Sequence, residues 1–308
     1  MQKLIVLVGP TAIGKTELSL TLAKEFGCEI ISMDSMQIYK YMDIGTAKPT
    51  QEERSQIPHH LVDFVDPADE YNVSRFVSDA RSSIGEIQGR DMLPMIVGGT
   101  GLYMRGLLEG IFEIAAVPES IRAKLEETAR EKGLDYLFDK LTEHDPESAA
   151  RLHPNDRQRV MRAMEVYQAT GVPWSKHLKE QQQQKEAVKR DFITLKIGLH
   201  RDREKLYERI NRRVDIMVEQ GLLDEVEKLL AMGYTPELNS MQSIGYKHML
   251  NYIDSTWSWE QALELLARDT RHYAKRQFTW FGRDPEIHWF EPCEKHNIAS
   301  AVSDFLVS

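Results

Sequence analysis

The sequence predicts an α/β fold in which a parallel sheet, covered by helices, is interrupted by an inserted all-helical domain. Short β-branched apolar runs alternate with helical stretches up to residue 116, and the same pattern returns from residue 191. Between them, residues 117–190 show helical spacing. We therefore expect three segments: the first part of the core at 1–116, the insertion at 117–190, and the rest of the core with C-terminal helices at 191–308.

The first segment alternates strands and helices. Apolar runs at 4–8 and 93–97, and a shorter one at 29–31, predict buried strands. Helical spacing at 15–26 and 73–88 fills the intervals between them. Strands that alternate with helices in this way form parallel sheets whose two faces are both covered.

The other two segments are mostly helical. In the insertion, helical spacing with proline and glycine punctuation predicts helices at 119–132, 134–143 and 155–170. The glutamine-rich and lysine-containing stretch 181–190 indicates a loop or a frayed helix end. In the last segment the pattern predicts strands at 192–199 and 287–290 and helices at 203–219, 221–232 and 259–281.

The composition excludes several classes of protein. The chain has 308 residues, 42% apolar and 28% charged, which is typical of a globular protein with a large core. Its two cysteines, Cys28 and Cys293, exclude a cysteine-rich zinc site and a disulfide framework, so we expect a reduced, cytoplasmic chain. No run of about 18 apolar residues occurs, so we expect no membrane span.

The charge is distributed unevenly. The net charge of −9 argues against indiscriminate binding to nucleic acid. Residues 151–213 nevertheless hold 16 Lys and Arg against 8 Asp and Glu, and the stretch 268–283 interleaves arginines with aromatic residues. These patterns fit either solvated helix faces or a surface for a polyanion, and charge alone does not decide between them.

The most specific single motif is a phosphate-binding loop. Residues Gly9–Thr16 read GPTAIGKT, follow a predicted strand and open a predicted helix, as the G-x-x-x-x-G-K-[ST] motif requires. Its glycines let several N–H groups converge on one anion, and the helix adds its positive end. Lys15 can reach phosphate oxygens, and the Thr16 hydroxyl can bind Mg²⁺. The motif predicts a P-loop NTPase-like core and a phosphate-bearing ligand, whose phosphate is either transferred or released.

Two other strand ends carry candidate residues. Asp34 follows the second strand, where it could act as a general base, bind metal-bound water, or only cap a turn. Gly98 and Gly99 end the strand at 93–97, which indicates either close approach by a ligand or a tight turn. This strand end has no carboxylate, unlike that of most P-loop proteins.

Eight motifs, taken together, resemble the bacterial-type tRNA dimethylallyltransferases, also called tRNA isopentenyltransferases. They span nearly the whole chain in the order of that family. They are GPTAIGKT (9–16), DSMQIY (34–39), MDIGTAKP (42–49), PHH (58–60), GGTGLY (98–103), HPNDRQRVMRAMEV (153–166), QSIGYK (242–247) and AKRQ (274–277).

The resemblance implies a reaction and its partners. A dimethylallyl group would pass from its diphosphate to the exocyclic amine of the adenosine just 3′ of the anticodon in tRNA, with Mg²⁺ assisting and pyrophosphate leaving. Asp34 matches the family's general base and Thr100 a hydroxyl that orients the same adenosine base. Lys15 and Arg203 resemble cations that hold the diphosphate. We expect a monomer whose partners are the tRNA anticodon stem-loop and dimethylallyl diphosphate.

Two sets of binding residues follow from the same resemblance. The diphosphate set is Gly9, Pro10, Thr11, Ala12, Ile13, Gly14, Lys15 and Thr16, with Thr16 also a metal ligand. The tRNA set is Asp34, Ser35, Met36, Gln37, Thr100, Arg122, Gln158, Arg159, Val160, Met161, Arg162 and Gln242. Ile13 stands where the family usually has serine, and Pro58–His60 is expected to form a structural turn.

Three other functions share some of these features. A small-molecule or nucleotide kinase would have the same loop and sheet, but it would not need the basic helical insertion. A prenyltransferase acting on free adenine nucleotides would resemble this chain around the loop and would also not need the insertion. A non-enzymatic RNA-binding module would have no use for the loop or for Asp34.

Overall fold

A parallel sheet with strand order β3-β2-β4-β1-β5-β6 forms the core of the chain. The computed structural model describes residues 2–110, 117–187 and 191–308. The strands are β1 (Gln2–Val8), β2 (Cys28–Met33), β3 (His59–His60), β4 (Leu93–Gly98), β5 (Phe192–Leu199) and β6 (Ile287–Phe290). The α/β fold with a P-loop-like core is therefore confirmed.

The register of the sheet brings three strand ends together. Within β1, Leu4–Val8 are fully buried, as a central parallel strand requires. Val8 pairs with Gly98 of β4 on one side and Gly198 of β5 on the other, and Met33 of β2 also pairs with Gly98. The segments that leave β1, β2 and β4 consequently emerge side by side at the carboxyl edge of the sheet.

Helices cover both faces of the sheet. They are α1 (Lys15–Phe26), α2 (Gln51–Gln56), α3 (Val73–Gln88), α4 (Gly101–Glu109), and, after β5, α9 (Arg203–Glu219), α10 (Leu222–Ala231), α11 (Tyr246–Ile253), α12 (Trp259–Phe281) and α13 (Lys295–Val307). One apolar cluster joins α1 and α9 to the sheet, and another joins α3 and α4 to the opposite strand faces. A third cluster packs α9–α12 against residues 36–47.

The insertion forms a compact unit of its own. Contacts divide the chain into one unit made of Met1–Leu108 and Arg190–Ser308 and a second unit made of Glu109–Lys189. The helices of the second unit are α5 (Glu119–His144), α6 (Pro146–Arg151), α7 (Arg157–Thr170) and α8 (Trp174–Ala187). Gly133, with φ 85° and ψ 165°, breaks the helical geometry inside α5, where the sequence predicts a boundary between two helices.

One local prediction was wrong. His59 and His60 form a short strand paired with β2, whereas the sequence analysis expects a turn there. Their ring nitrogens contact the Ile57 carbonyl oxygen at 2.7 Å and the Glu29 carboxylate at 2.6 Å. Among the helices that the structure describes, none is long and apolar enough to cross a membrane.

Candidate active site

The loop between β1 and α1 has the backbone of a phosphate cradle. Gly9 and Gly14 have φ values of 152° and 113°, which favour glycine, and Ala12 has a φ of 62°. The loop ends where α1 begins at Lys15, so the free N–H groups of the first helical turn face the same edge of the sheet. Ile13 buries its side chain completely in the core, where it packs with residues of α1 and α9.

Lys15 is held inside the loop by two carbonyl groups. Its Nζ donates to the carbonyl oxygens of Gly9 and Pro10, both at 2.8 Å. Burial lowers the pKa of Lys15 to about 7, Asp34 opposes this shift, and the positive charge of Arg213 adds to it. A neutral amine has two N–H groups, which are enough for these two carbonyls. A phosphate anion bound beside this lysine would favour its ammonium form and so raise its pKa again.

Asp34 lies in the turn that leaves β2. Its Oδ1 accepts the main-chain N–H groups of Met36 at 2.9 Å and Gln37 at 3.3 Å. Within the described residues, no hydrogen bond uses the second carboxylate oxygen, and Asp34 lines the same cavity as Lys15. The carboxylate thus has one oxygen that fixes its orientation and one that is available for a substrate proton.

Thr100 joins this turn to the end of β4. Its Oγ1 accepts the N–H of Ser35 at 3.2 Å, and its own N–H donates to the Met33 carbonyl oxygen at 3.2 Å. A Cβ atom at Gly98 would lie 2.0 Å from that same Met33 oxygen. Gly98 makes room for the Met33 main chain and also lines the cavity, so close approach by a ligand at this strand end stays a prediction.

The Gln37 side chain is engaged within the protein. Its Nε2 donates to the carbonyl oxygens of Thr46 at 3.4 Å and Ala47 at 3.1 Å, and its Oε1 accepts from the Ser32 hydroxyl at 3.2 Å. Gln37 therefore holds the 42–49 segment beside the cavity, and an RNA contact through its amide would require exchange of these bonds. Ser35 and Met36 are half-buried in the same turn.

Helix α9 supplies cations that the sequence analysis did not assign. Arg209 Nε donates to the Ala12 carbonyl oxygen at 2.9 Å, and both Arg209 and Arg213 line the cavity. Burial lowers the pKa of Arg213, while the charge of Asp34 opposes the shift. Arg203, the predicted diphosphate ligand, lies at the start of the same helix with its guanidinium 5.1 Å from the centre of the Tyr207 ring, and its role stays a prediction.

Helix α12 closes the site with a tyrosine and a glutamine. Burial, followed by the nearby charge of Asp34, raises the pKa of Tyr273, whose hydroxyl contacts the side chains of Thr100 and Gln277. The Gln277 amide bonds Thr11 of the phosphate loop at 2.8 Å and the Gly99 carbonyl oxygen at 3.0 Å. Residues from the phosphate loop, α1, β2, β4, α9 and α12 line one cavity of about 1110 Å³.

The oxygen donors of this cavity fit Mg²⁺. Thr16, in the first turn of α1, is exposed and lines the cavity, and the Asp34 carboxylate lines it as well. Magnesium prefers oxygen ligands and usually keeps several waters while it binds substrate phosphates and one or two protein groups. One hydroxyl and a diphosphate are sufficient for such a site, and Thr16 is the residue placed to supply the hydroxyl.

The insertion carries its predicted RNA-binding residues on α7 and at the start of α5. Of the three predicted arginines, Arg159 is the most exposed, with 63% of its side chain accessible, and it pairs loosely with Asp156 at 3.6 Å. Arg162 Nη1 and Arg122 Nε both form ion pairs with the Glu165 carboxylate, at 3.1 and 3.7 Å. Gln158 is also exposed.

The side chains of two members of the predicted RNA set are buried. Val160 is fully buried and Met161 is 5% exposed, and both pack in the apolar core of the insertion. They occupy the inner face of α7 because helical periodicity turns positions 160, 161 and 164 away from 159 and 162. Gln242, in the other unit, is exposed and donates its Nε2 to the Pro236 carbonyl oxygen at 2.6 Å.

Comparison with known proteins decides the family. A family model described as IPP transferase matches residues 37–284, and a model described as Isopentenyl transferase matches residues 2–61. This chain belongs to the IPP transferase family. Its resemblance to the tRNA dimethylallyltransferases is therefore confirmed.

Relatives of this family member match over nearly their full length. The chain is 45% identical over 307 residues to the tRNA dimethylallyltransferase of Alkaliphilus oremlandii, covering 98% of this chain and 96% of that relative. It is 49% identical over 305 residues to the tRNA dimethylallyltransferase of Desulfotalea psychrophila, covering 99% and 96%.

Solved structures of the family share the fold. The full-length tRNA isopentenylpyrophosphate transferase from Bacillus halodurans matches with a TM-score of 0.73 and 41% identity, over 99% of this chain and 97% of that one. A eukaryotic dimethylallyltransferase captured acting on tRNA matches with a TM-score of 0.76 and 34% identity, over 91% and 70%.

Sequence reasoning missed the contribution of α9 and α12 to the site of this IPP transferase. The signal for α9 is the spacing of Arg209 and Arg213, which are four residues apart and so share a helix face. No local pattern indicates that this face meets the phosphate loop. Gln277 lies in a quoted motif, but its two hydrogen-bond partners lie 266 and 178 residues away.

Proposed function

We propose that this chain transfers a dimethylallyl group from dimethylallyl diphosphate to the exocyclic amine of the adenosine 3′-adjacent to the anticodon in tRNA, and releases pyrophosphate. The observation that carries the proposal is the single cavity lined by both the phosphate loop and the Asp34 carboxylate. A diphosphate held by the loop would place its reactive carbon in the same space as a general base. Membership of the IPP transferase family supports the same reaction.

The phosphate loop and α9 hold the diphosphate. N–H groups at the start of α1 bind its oxygens, and Lys15 exchanges the Gly9 and Pro10 carbonyls for phosphate. Arg209 and Arg213 neutralise further charge as the leaving group develops. Mg²⁺ bound to Thr16 would supply Lewis-acid stabilisation of the departing pyrophosphate.

The Asp34 carboxylate takes the proton that the amine must lose. The exocyclic nitrogen attacks the C1 carbon of the dimethylallyl group, a new N–C bond forms, and the C–O bond to the diphosphate breaks. The electron pair of that bond leaves with pyrophosphate, and one amine proton passes to Asp34. Hydrogen bonds from Met36 and Gln37 keep the carboxylate oriented during this step.

Recognition of RNA requires surfaces outside the cavity. An adenine in a stem-loop must leave its stack, at a cost of a few kcal/mol, before its amine can enter a site of this kind. Exposed arginines of the insertion, above all Arg159, have the charge and accessibility to bind RNA phosphates. The anticodon stem-loop is the partner that this proposal requires.

Label transfer tests the proposal directly. The protein, Mg²⁺ and dimethylallyl diphosphate labelled in its C5 group are incubated with a synthetic anticodon stem-loop that carries the target adenosine. We expect label in the RNA and one pyrophosphate released per label. A matched stem-loop with guanosine at that position should stay unlabelled.

The same assay separates the other candidate functions. Prenylation of AMP as efficient as that of the stem-loop would favour an enzyme acting on free nucleotides. Phosphoryl transfer from ATP at ordinary enzyme rates would favour a kinase. β4 ends at Gly98, and Gly99 and Thr100 follow it. This segment lacks the carboxylate that most P-loop phosphotransferases use, so we expect no such transfer.

A further inference from the structure

A buried amide on α12 connects the two loops that line the cavity. Gln277 is 5% exposed. Its Oε1 accepts the N–H of Thr11 in the phosphate loop at 2.8 Å, and its Nε2 donates to the carbonyl oxygen of Gly99 at 3.0 Å. One side chain thus bonds the main chain at the ends of β1 and β4, which are neighbours in the sheet.

The Gly99 end of this connection continues to the general base. Thr100 follows directly, and its Oγ1 accepts the N–H of Ser35, the residue after Asp34. The Thr100 N–H also bonds the Met33 carbonyl oxygen, the residue before Asp34. Hydrogen bonds of Gln277 and of Thr100, joined by the Gly99–Thr100 peptide bond, therefore link the phosphate loop to the turn that carries Asp34.

The site is built around an amide of this size. A Cβ atom at Gly99 would lie 2.0 Å from Gln277 Nε2, so glycine at this position makes room for the contact. The two main-chain partners require one acceptor and one donor in the same side chain. A carboxylate supplies only acceptors and a thioether supplies no donor, so neither reproduces the pair of bonds.

We propose that Gln277 is a positioning residue that holds the phosphate loop and the Asp34 turn in fixed register, so that the diphosphate-bound carbon meets the amine beside its base. The inference rests on the proposed function. Other groups bind each of the two substrates, and Gln277 sets the distance between the two substrates once they are bound. Loss of the amide should therefore slow the reaction of bound substrates more than it weakens the binding of either one, because misplacement of about 1 Å can cost about 10²-fold in rate.

The test compares the same substitution at two glutamines of α12. Gln277→Met keeps the side-chain length and removes both bonds. Gln261→Met removes an amide that accepts the Ser258 N–H in the capping box, about 24 Å away along the helix. Single-turnover transfer at saturating substrates, the Kd of each substrate alone, and Tm are measured for both variants and for the wild type.

The expected outcome is a split between rate and affinity. Gln277→Met should lower the single-turnover rate about 30- to 100-fold and change each Kd by less than about threefold. Gln261→Met should lower Tm and leave the rate unchanged. A Gln277→Met rate within threefold of the wild type would overturn the inference, as would loss of both affinities with an unchanged rate at saturation.

A second variant gives a readout that a purely structural role would not produce. Gln277→Glu lacks the donor when ionised and regains an O–H donor when protonated, so its rate relative to the wild type should rise as the pH falls. A ratio that is constant with pH would contradict the positioning role. This measurement tests the proposal even if Gln277→Met fails to fold. An inactive wild type would refute the proposed function itself, which is a different result from an active wild type with an indifferent Gln277.

Discussion

Diphosphate binding by this protein should weaken steeply above pH 7, because Lys15 must gain a proton to serve as a phosphate ligand. In the ligand-free site its Nζ bonds two carbonyl oxygens and burial lowers its pKa to about 7. A bound diphosphate favours the ammonium form and raises that pKa again. Binding of the diphosphate is consequently coupled to uptake of a proton by Lys15, so a higher pH weakens the binding of the diphosphate.

The size of the effect follows from the pKa of Lys15. With a value of about 7 in the free protein, the charged fraction is about one half at pH 7, one eleventh at pH 8 and one hundredth at pH 9. If the ammonium form is the one that binds, affinity should fall about 5-fold from pH 7 to 8 and about 50-fold from pH 7 to 9. A phosphate group has its second pKa near 6, so the ligand itself changes little over this range.

Calorimetry provides the assay. Dimethylallyl diphosphate is titrated into the protein without RNA at pH 7, 8 and 9, in two buffers of different ionisation enthalpy. Uptake of about 0.5 proton at pH 7 and about 0.9 at pH 8 is expected. Lys15→Arg is the matched control, since a guanidinium stays charged and should remove the slope. An affinity that is independent of pH in the wild type, or an equal slope in Lys15→Arg, would refute the reasoning.

Three further predictions concern the base, the RNA surface and the fold. Asp34→Asn should lower the rate of single-turnover transfer about 10²- to 10⁴-fold. As a control, its affinity for the stem-loop in a filter-binding assay should be unchanged. A near-normal rate would show that Asp34 is not the general base. Arg159→Ala should weaken stem-loop binding and lower the slope of log K against log salt by about 1. Arg159→Lys keeps the positive charge and is the control that should leave the slope unchanged. Glu225 accepts three main-chain N–H groups of residues 43–45, so Glu225→Gln should lower the free energy of unfolding by about 3 kcal/mol in urea titrations. Tyr246→Phe removes only one hydrogen bond to the same carboxylate and should cost about 1 kcal/mol, and equal losses in the two variants would contradict this reading.

The local elements of this fold were predictable because their signals are local. Helix α1 begins at Lys15 and ends at Phe26, as expected, since Gly14 and Gly27 on either side adopt left-handed φ values. The strand at Phe192–Leu199 is a run of apolar and β-branched residues, and in the structure it has the bounds that the sequence predicts. The two-residue strand at His59–His60 was missed because nothing in its own residues indicates pairing; its partner is β2, about thirty positions earlier.

The residues of the candidate site also divide into those that a local sequence pattern predicts and those that only the packing of the elements identifies. The phosphate loop and Asp34 were identified from contiguous letters, since a cradle of N–H groups is made by consecutive residues. Arg203 was predicted from its place in a motif, whereas Arg209, Arg212 and Arg213, farther along the same helix and lining the cavity, were not predicted. The sequence shows that α9 is rich in arginine, but the face that meets the loop depends on how the helix packs.

By itself, the amino-acid sequence of this protein determined the family, the phosphate loop, the alternation of strands and helices, and the insertion, because each is encoded by neighbouring residues or a periodic pattern. Tertiary structure decided which side chains share the cavity, that Val160 and Met161 are core residues, and that one amide at position 277 joins two loops. Those facts depend on contacts between residues of different elements, and such contacts exist only once α9 and α12 have packed against the sheet and the helices of the insertion have packed on one another.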